Sequence, residues 1–460
     1  MKPLNRALQI VCVLLFNGIA CCQGLPDSRI ANRLGAYLKP FVETGNLSGT
    51  ILVARKGRVL FRRSYGMANY ELQVPNSPET RFHIASVSKP FTAAAILQLQ
   101  EQGRLSLADR VSRFLPDFTN GDRITLDNLL THTSGIPDIN DLSDYDTFAR
   151  SPHTLGQLIA KFAGLPLQFD PGSGYGYSNS NYNLLALVIE KVTGESYGEY
   201  LRKHLFDAAR MKDSGHDGEA AHLIPGAASG YKPAGIAGYE KAPYLDWSTK
   251  TGNGSLYSTV DDLYHFDRAL NTDAILKSST RQKYFIEGPG NRYGWYIHKR
   301  LGHRVISGKG RSPGFAAELD CFPDDDITII LLTNSYSTVS QDPIAEALAA
   351  IVFGQEPPPP PTMHPVTISQ PALAAYAGMY QYGPEYFDPN AKFTLTAEPG
   401  YLLMELGDLR TPLVPLSADD FLERNFFGHV VMSRGGVGIV TALTTRYGEK
   451  EFTARRLEAK

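Results

Sequence analysis

The sequence predicts an α/β (α+β) sandwich with a central antiparallel sheet, followed by a small all-β barrel at the C-terminus. Three observations predict it. A helix and a hairpin pattern open the chain after residue 25, and strand patterns return only between Tyr293 and Asn334, so one sheet draws on both ends of a long segment. The segment between, about 90 to 215, reads mostly helical, which places a helical cluster against that sheet. A polyproline run, Pro357 to Pro361, then separates this part from a stretch of alternating apolar and polar residues.

Taken in order, Met1 to Arg6 carries Lys2 and Arg6 and precedes an apolar run from Ala7 to Ala20, too short to span a membrane comfortably. Residues 1–24 therefore read as an export signal, cut around Ala20 to Gly24. Cys21 and Cys22 lie at that point and offer a thiol for lipid attachment; past the cut Cys321 remains, so no disulfide framework is expected. Ile30 to Thr44 is the first helix. Gly49–Val53 and Val59–Tyr65 form a hairpin turning at Lys56-Gly57. Ser86 to Gly103 is a helix with Ala93, Ala94, Ile96, Leu97 and Leu99 as its apolar positions. A polar loop feeds a further helix, Leu184 to Val192, closed near Gly194. The stretch 216–258 is rich in Gly, Pro and Tyr and reads as loops. Phe315 to Phe322 is a strand, turning at Pro323 to Asp326 into Ile327 to Leu332; that Asp run lacks the spacing of a calcium loop. A terminal helix, about Pro343 to Val352, is expected beside the first. The first domain is thus 25–354, the Pro-rich linker 355–365 and the barrel 366–460, in which Phe393, Leu395 and Ala397, and later Ile439 and Thr441, alternate with their neighbours.

The chemistry starts at Ser86 and Lys89. A serine hydroxyl is a weak nucleophile and needs a base within hydrogen-bond reach. Residues three apart share a helix face. In the first turn, Ser86 also sits in the positive field of the helix N-terminus with its N–H free for an oxyanion. Ser-x-x-Lys alone is a weak signal, and Ser229 to Lys232 repeats it in a Gly/Pro-rich stretch. A second motif, Tyr177-Ser178-Asn179, is the chain's only Tyr-x-Asn.

With these two motifs the chain resembles the serine β-lactamase and penicillin-binding-protein superfamily, in its class C-like branch of esterases, D-amino-acid peptidases and β-lactamase relatives. Leu129 to Pro137, Gly252 to Leu263 and Tyr293-Gly294-Trp295 share its texture, and the likeness runs from about residue 26 to 352. The resemblance implies the β-lactamase/DD-peptidase fold. It makes Ser86 the nucleophile of an acyl-enzyme, Lys89 and Tyr177 its proton-transfer partners, and Asn179 a group that orients Lys89 and substrate. It leaves open which of Lys89 and Tyr177 is the base. The C-terminal barrel resembles a lipocalin-like domain appended to some relatives. The family's third motif, Lys-Thr-Gly or His-x-Gly before Pro-Gly-Phe, is altered here. Counting back from Pro313-Gly314-Phe315, the strand triplet is Gly308-Lys309-Gly310, with Gly308 where the cation belongs. A one-residue shift on a strand reverses the face, so Lys309 is no automatic substitute. The implied oxyanion donors are the N–H groups of Ser86 and Arg311.

Gly310-Arg311-Ser312-Pro313-Gly314 also fits the nucleophile elbow of α/β-hydrolases, but Pro313 has no N–H for an oxyanion hole and a strand follows in place of a helix. With 45 Lys and Arg against 47 Asp and Glu, net charge −2, the chain shows no basic stripe, and nucleic acid is not an expected partner. No cofactor is called for, and no metal-ligand spacing appears among the 11 His. The expected function is an exported serine hydrolase, periplasmic or extracellular, acting on amides or esters: D-amino-acid peptides, peptidoglycan fragments, β-lactams or small esters. The alternatives are an impaired peptide- or peptidoglycan-binding member, with Gly308 as the lesion, and an acyltransferase using the same acyl-enzyme.

Overall fold

The computed structural model describes residues 26–457 other than 219–221, 336–340, 361–363, 408, 426, 437 and 448–449; the expected export signal lies outside the described residues. The chain opens with helix α1 (Asp27–Glu43), whose Ile30, Leu34, Tyr37, Leu38 and Phe41 make one buried stripe at helical spacing. Strands β1 (Gly49–Arg55) and β2 (Arg58–Tyr65) follow. Their connection is Lys56-Gly57 with φ of 52° and 72°, the left-handed pair that a two-residue hairpin demands and that glycine supplies at least cost. Helix α2 (Ser88–Glu101) is buried on all sides from Ser88 to Leu99, which is why its apolar residues show no stripe. Helix α3 (Asn179–Thr193) ends at Gly194, φ 78°. It starts five residues earlier than its apolar run, because Asn179 to Asn183 are buried and hydrogen-bonded rather than looped.

Further along come a hairpin of β3 (Tyr231–Ala234) and β4 (Gly238–Lys241), then helices α4 (Val260–Leu270) and α5 (Ser278–Tyr284). Strands β5 (Tyr296–Arg300), β6 (His303–Ser312), β7 (Phe315–Phe322) and β8 (Ile327–Thr333) then pair with β1 and β2 in the antiparallel order β5-β6-β7-β8-β1-β2. Helix α6 (Gln341–Val352) packs beside α1 on one face, around Ile329, Leu331, Leu348 and Phe41. The other face carries Leu319, Ile330 and Leu332 into the core built on α2 and α3. Strand β8 is buried along its whole length because helices cover both faces.

After the linker a closed antiparallel barrel is formed by β9 (Gly378–Tyr382), β10 (Lys392–Glu398), β11 (Tyr401–Leu406), β12 (Leu409–Pro415), β13 (Asp420–Glu423), β14 (Gly428–Arg434), β15 (Val440–Tyr447) and β16 (Lys450–Arg456). Phe393 and Leu395 point inward as their alternation predicts. Ile439 does not. It is exposed, and Val440 and Leu443 fill the interior, because a bulge at Ser433/Arg434 shifts the register by one residue. Among the described residues no helix is long and apolar enough to cross a membrane.

The barrel has its own core, and Arg424 and Phe427 are among the side chains that dock it. Arg424, fully buried, donates to the carbonyls of Gly45 (2.8 Å), Ala234 (2.7 Å), Gly235 (3.1 Å) and Gly238 (2.9 Å), while Phe427 stacks on Phe41 at 5.1 Å. Burial lowers Arg424 only to about 10, so it docks as a cation. Arg424→Ala would leave those carbonyls buried and unpaired. It is expected to weaken docking by about 2–4 kcal/mol and to speed proteolysis in the Pro-rich linker. Arg424→Lys should not restore it, since one ammonium cannot span carbonyls from two segments. Cleavage rates unchanged in both variants would contradict this role. A chain cut at residue 354 is expected to stay soluble, because the barrel core and the two cores of the hydrolase part share no residue.

Candidate active site

Ser86 lies in a 3-10 turn, Ala85–Val87, that runs into α2, rather than in the first α-helical turn. Ala85, buried, adopts φ 46°, a strained conformation for a residue with a Cβ. The turn lifts Ser86 out of the helix and leaves Lys89, in the first turn of α2, beneath it. Lys89 Nζ is 2.9 Å from Ser86 Oγ, 2.8 Å from Asn179 Oδ1 and 2.9 Å from the Asn253 carbonyl. From the other side Tyr177 donates its hydroxyl to Ser86 Oγ at 3.1 Å. The structure thus brings Ser86, Lys89, Tyr177 and Asn179 together, from the start of α2 and the start of α3.

Burial shifts both of the serine's proton-transfer partners. Lys89 is fully buried, and burial pushes its pKa well below the usual lysine value; Asp138 pulls it back up and Lys250 pushes it further down. Burial holds the Tyr177 phenol well above its ordinary value, so it carries its proton. Two of the three groups around Lys89 Nζ, the Asn179 and Asn253 oxygens, are acceptors only. Lys89 therefore spends two of its contacts on acceptors and the third on Ser86 Oγ, while Tyr177 reaches the same hydroxyl from the other side.

Several residues that complete the site carry no motif of their own. Asp138 Oδ2 accepts from Asn179 Nδ2 at 2.9 Å and so fixes which end of that amide faces Lys89. It directly follows Pro137, the end of a family-like run, and that position is the only sequence signal. His132, held neutral at about 3 by burial, accepts from the Ser178 N–H and stacks on Tyr177 at 4.5 Å. Lys250, lowered to about 8 by burial, donates to Asn140 Oδ1 at 3.0 Å. Lys250-Thr251-Gly252 spells the family's third motif in letters, yet it leaves a 3-10 turn and is not on the sheet. Asn253 lies in the family-like run Gly252 to Leu263, but its contribution is a backbone carbonyl, which no side-chain pattern marks.

The third motif lies on β6 in the ungapped register. A Cβ on Gly310 would fall on the Ile84 carbonyl and 3.0 Å from Ser86 N, so only glycine lets the strand approach the nucleophile turn. Gly308, two residues back, is on the same face, where a Cβ would lie 3.2 Å from the Trp295 ring and 3.6 Å from Val87. Lys309 is on the opposite face. Its Nζ pairs with Asp342 of α6 at 2.7 Å and approaches buried Glu318 at 3.8 Å, so the reading of Lys309 as a substrate-orienting group is corrected. The Arg311 side chain points the same way, 3.9 Å from Asp342. Its backbone N–H is another matter. In a two-residue hairpin closed by Ser312–Phe315, hydrogen-bonded pairs alternate, which turns that N–H to the edge that β5 has already left. Gly310 thus brings the strand that carries Arg311 against the Ser86 turn. Ser312, at the end of β6, is followed by a turn and β7, and no helix follows as a nucleophile elbow needs. In the other Ser-x-x-Lys, Lys232 pairs with Glu240 across the β3–β4 hairpin.

Beyond Arg311 the strand ends at Ser312, Pro313 enters the turn and Phe315 opens β7. Pro313 and Phe315 line a cavity of about 290 Å³ with His83, Asp217 and Trp247, in which Trp247 stacks on His83 at 3.8 Å.

Known proteins are similar to this chain in sequence and fold. The chain is 28% identical to penicillin-binding protein 4* of Bacillus subtilis (strain 168) over 442 residues, 90% of this chain and 96% of that one. A solved penicillin binding protein from Bacillus halodurans superposes with a TM-score of 0.60 at 28% identity, over 69% of this chain and 98% of that one. A D-stereospecific amidohydrolase from Streptomyces sp. does so with 0.61 at 25% identity, over 70% and 98%. The Beta-lactamase family model matches residues 34–352, most of the hydrolase part, and the chain therefore belongs to the Beta-lactamase family as a penicillin-binding-protein-like serine hydrolase with an added C-terminal barrel.

Proposed function

We propose that this is an exported serine hydrolase that forms an acyl-enzyme at Ser86 and cleaves small amides or esters, with peptides or amides of D-amino acids as its principal substrates. One observation carries the reading: the buried Lys89 amine, its pKa lowered by burial, sits 2.9 Å from Ser86 Oγ and is held by the Asn179 and Asn253 oxygens on its other sides. Lys89 takes the serine proton as Oγ attacks the carbonyl carbon. The oxyanion gathers at the Ser86 and Arg311 N–H groups. Tyr177 passes a proton to the departing amine or alcohol, and water then cleaves the ester at Ser86. The D-configured substrate is supported by the amidohydrolase likeness, and export by the charged and apolar start of the chain. The penicillin-binding relatives keep peptidoglycan fragments and β-lactams among the substrates to be tried. The test is intact-mass analysis of the protein mixed with D- and L-phenylalanine 4-nitroanilides and an activated ester. An acyl adduct on the Ser86 peptide and faster release from the D-anilide are expected. Release without any adduct, or only with an added amine acceptor, would overturn it.

Gly308 predicts a preference. With no strand cation facing Ser86, a substrate carboxylate loses a charge-assisted hydrogen bond of about 1.5–3 kcal/mol. Carboxylate-bearing substrates are expected to turn over roughly 10- to 150-fold less efficiently than their neutral counterparts. Lys309→Ala should leave that ratio unchanged, since Lys309 faces Asp342. Gly308→His should favour carboxylates only at a cost in stability, because its Cβ already crowds Trp295. Efficient penicillin hydrolysis that collapses in Arg292→Ala would show that Arg292, whose charge reaches Tyr175, supplies the cation instead.

A further inference from the structure

A cavity of about 690 Å³ lies behind the site, between α4, α5 and the ends of β6, β7 and β8. That volume is within the range of small-molecule sites. Its depth is apolar, with Leu270, Phe285 and Ile306 around the Trp295 ring. Its mouth carries Arg268, Arg281 and Arg304. Arg268 pairs with Asp326, also in the lining, while Arg281 and Arg304 pair with Asp273 and Glu287, whose side chains are 69% and 68% exposed. Arg281 also donates to the Thr272 and Leu276 carbonyls, the latter at 2.7 Å, and Arg304 to the Phe285 carbonyl at 3.4 Å, so the two guanidinium groups are held at the mouth while their exposed carboxylate partners are weakly bound and can exchange for another anion. The remaining carboxyl of the lining, Asp267, is buried and accepts from Thr328 at 2.6 Å, with its pKa raised by burial.

Trp295 is the wall between this cavity and the catalytic residues. One edge of its ring lies against Gly308, and the ring is held among Phe266, Tyr284 and Phe285. The preceding Gly294, φ 87°, packs so closely that a Cβ would fall on Pro90 N and 2.6 Å from the Lys89 carbonyl carbon. The Gly294-Trp295 turn therefore touches the backbone of the base and the strand beside the nucleophile at once.

We propose that this cavity is a second ligand site, for a small aromatic or branched-apolar carboxylate, and that its occupant acts on the catalytic residues through Trp295. The ring or alkyl group fills the apolar depth, and the carboxylate meets Arg281 and Arg304 at the mouth. A ligand pressing on Trp295 moves Lys89 and Gly308 together, so it alters the rate of the chemical step rather than access of substrate to Ser86.

The chain has two Trp, so Trp247→Phe leaves Trp295 as the sole indole reporter. Titrating that full-length protein with 3-phenylpropionate is expected to give a saturable change in emission. The neutral 3-phenylpropanamide should bind at least about 10-fold more weakly. Arg304→Glu and Gln282→Phe, both at the mouth and away from Ser86, should each weaken carboxylate binding by a similar factor. Gln282 is exposed on α5, so that variant tests the site without burdening the fold. In wild-type turnover of a neutral ester, 3-phenylpropionate should change kcat with little change in KM. An absence of saturable binding, or binding indifferent to both mouth variants, would overturn the site. A purely competitive effect on KM would overturn the coupling through Trp295.

Discussion

Ser86→Ala is expected to lower kcat/KM for an activated ester by about 10⁴- to 10⁶-fold, the scale on which loss of a serine nucleophile is felt. The remaining groups, Lys89 and the oxyanion donors, would then act on a bound ester with only water to attack it. A serine-directed phosphonate should label the wild-type chain on the peptide that carries Ser86 and should leave Ser86→Ala unlabelled. Ser312→Ala should keep most of both activity and labelling, because Ser312 ends β6 with a turn and a strand after it and with Pro313, which has no N–H, next in the chain. Label that persists in Ser86→Ala would sink the assignment.

Removal of the base comes next in size. Lys89→Ala is expected to reduce turnover by about 10²- to 10⁴-fold, and Lys89→Arg should not rescue it, since a guanidinium keeps its proton at any working pH. Tyr177→Phe should cost at least about 100-fold, and the double variant far less than the product of the two, because both residues act on one proton path. The pH dependence has a definite sign. Burial lowers the folded-state pKa of Lys89 below its unfolded value. The neutral, basic form is thus lost as pH falls through the folded pKa, and kcat should fall on that acid limb. The same linkage makes stability suffer on the acid side: below the folded pKa the full cost of a buried ammonium is present, and it fades as pH rises toward the unfolded pKa. A kcat profile flat across the acid side, or a Lys89→Arg variant of normal rate, would show that another group takes the serine proton.

Much of the architecture was legible because it is local. The stripe of α1, the Lys56-Gly57 turn and the run of β8 are patterns of neighbours along the chain, and they mark the elements to within a few residues. The start of α3 was less legible, because Asn179 to Asn183 look like loop residues and become helical only when buried partners satisfy their amides. In the barrel, the inward turn of Val440 in place of Ile439 depends on a bulge that alternation alone does not reveal.

The site divides the same way. Sequence by itself determined Ser86, Lys89, Tyr177 and Asn179, because these side chains carry chemistry at motif spacing, and it placed Gly308 where a cation is usual. Only the tertiary structure decided the roles within that set. The Asn253 carbonyl and Asp138 orient Lys89 and Asn179 from segments distant in sequence, and burial shifts Lys89 down and Tyr177 up from their ordinary pKa values. The structure also sent Lys309 across the sheet to Asp342 and set the barrel on the hydrolase part through Arg424. The physical reason is common to all of these. A pKa, a side-chain face and a docked carbonyl cradle are properties of surroundings that the chain assembles only when it folds.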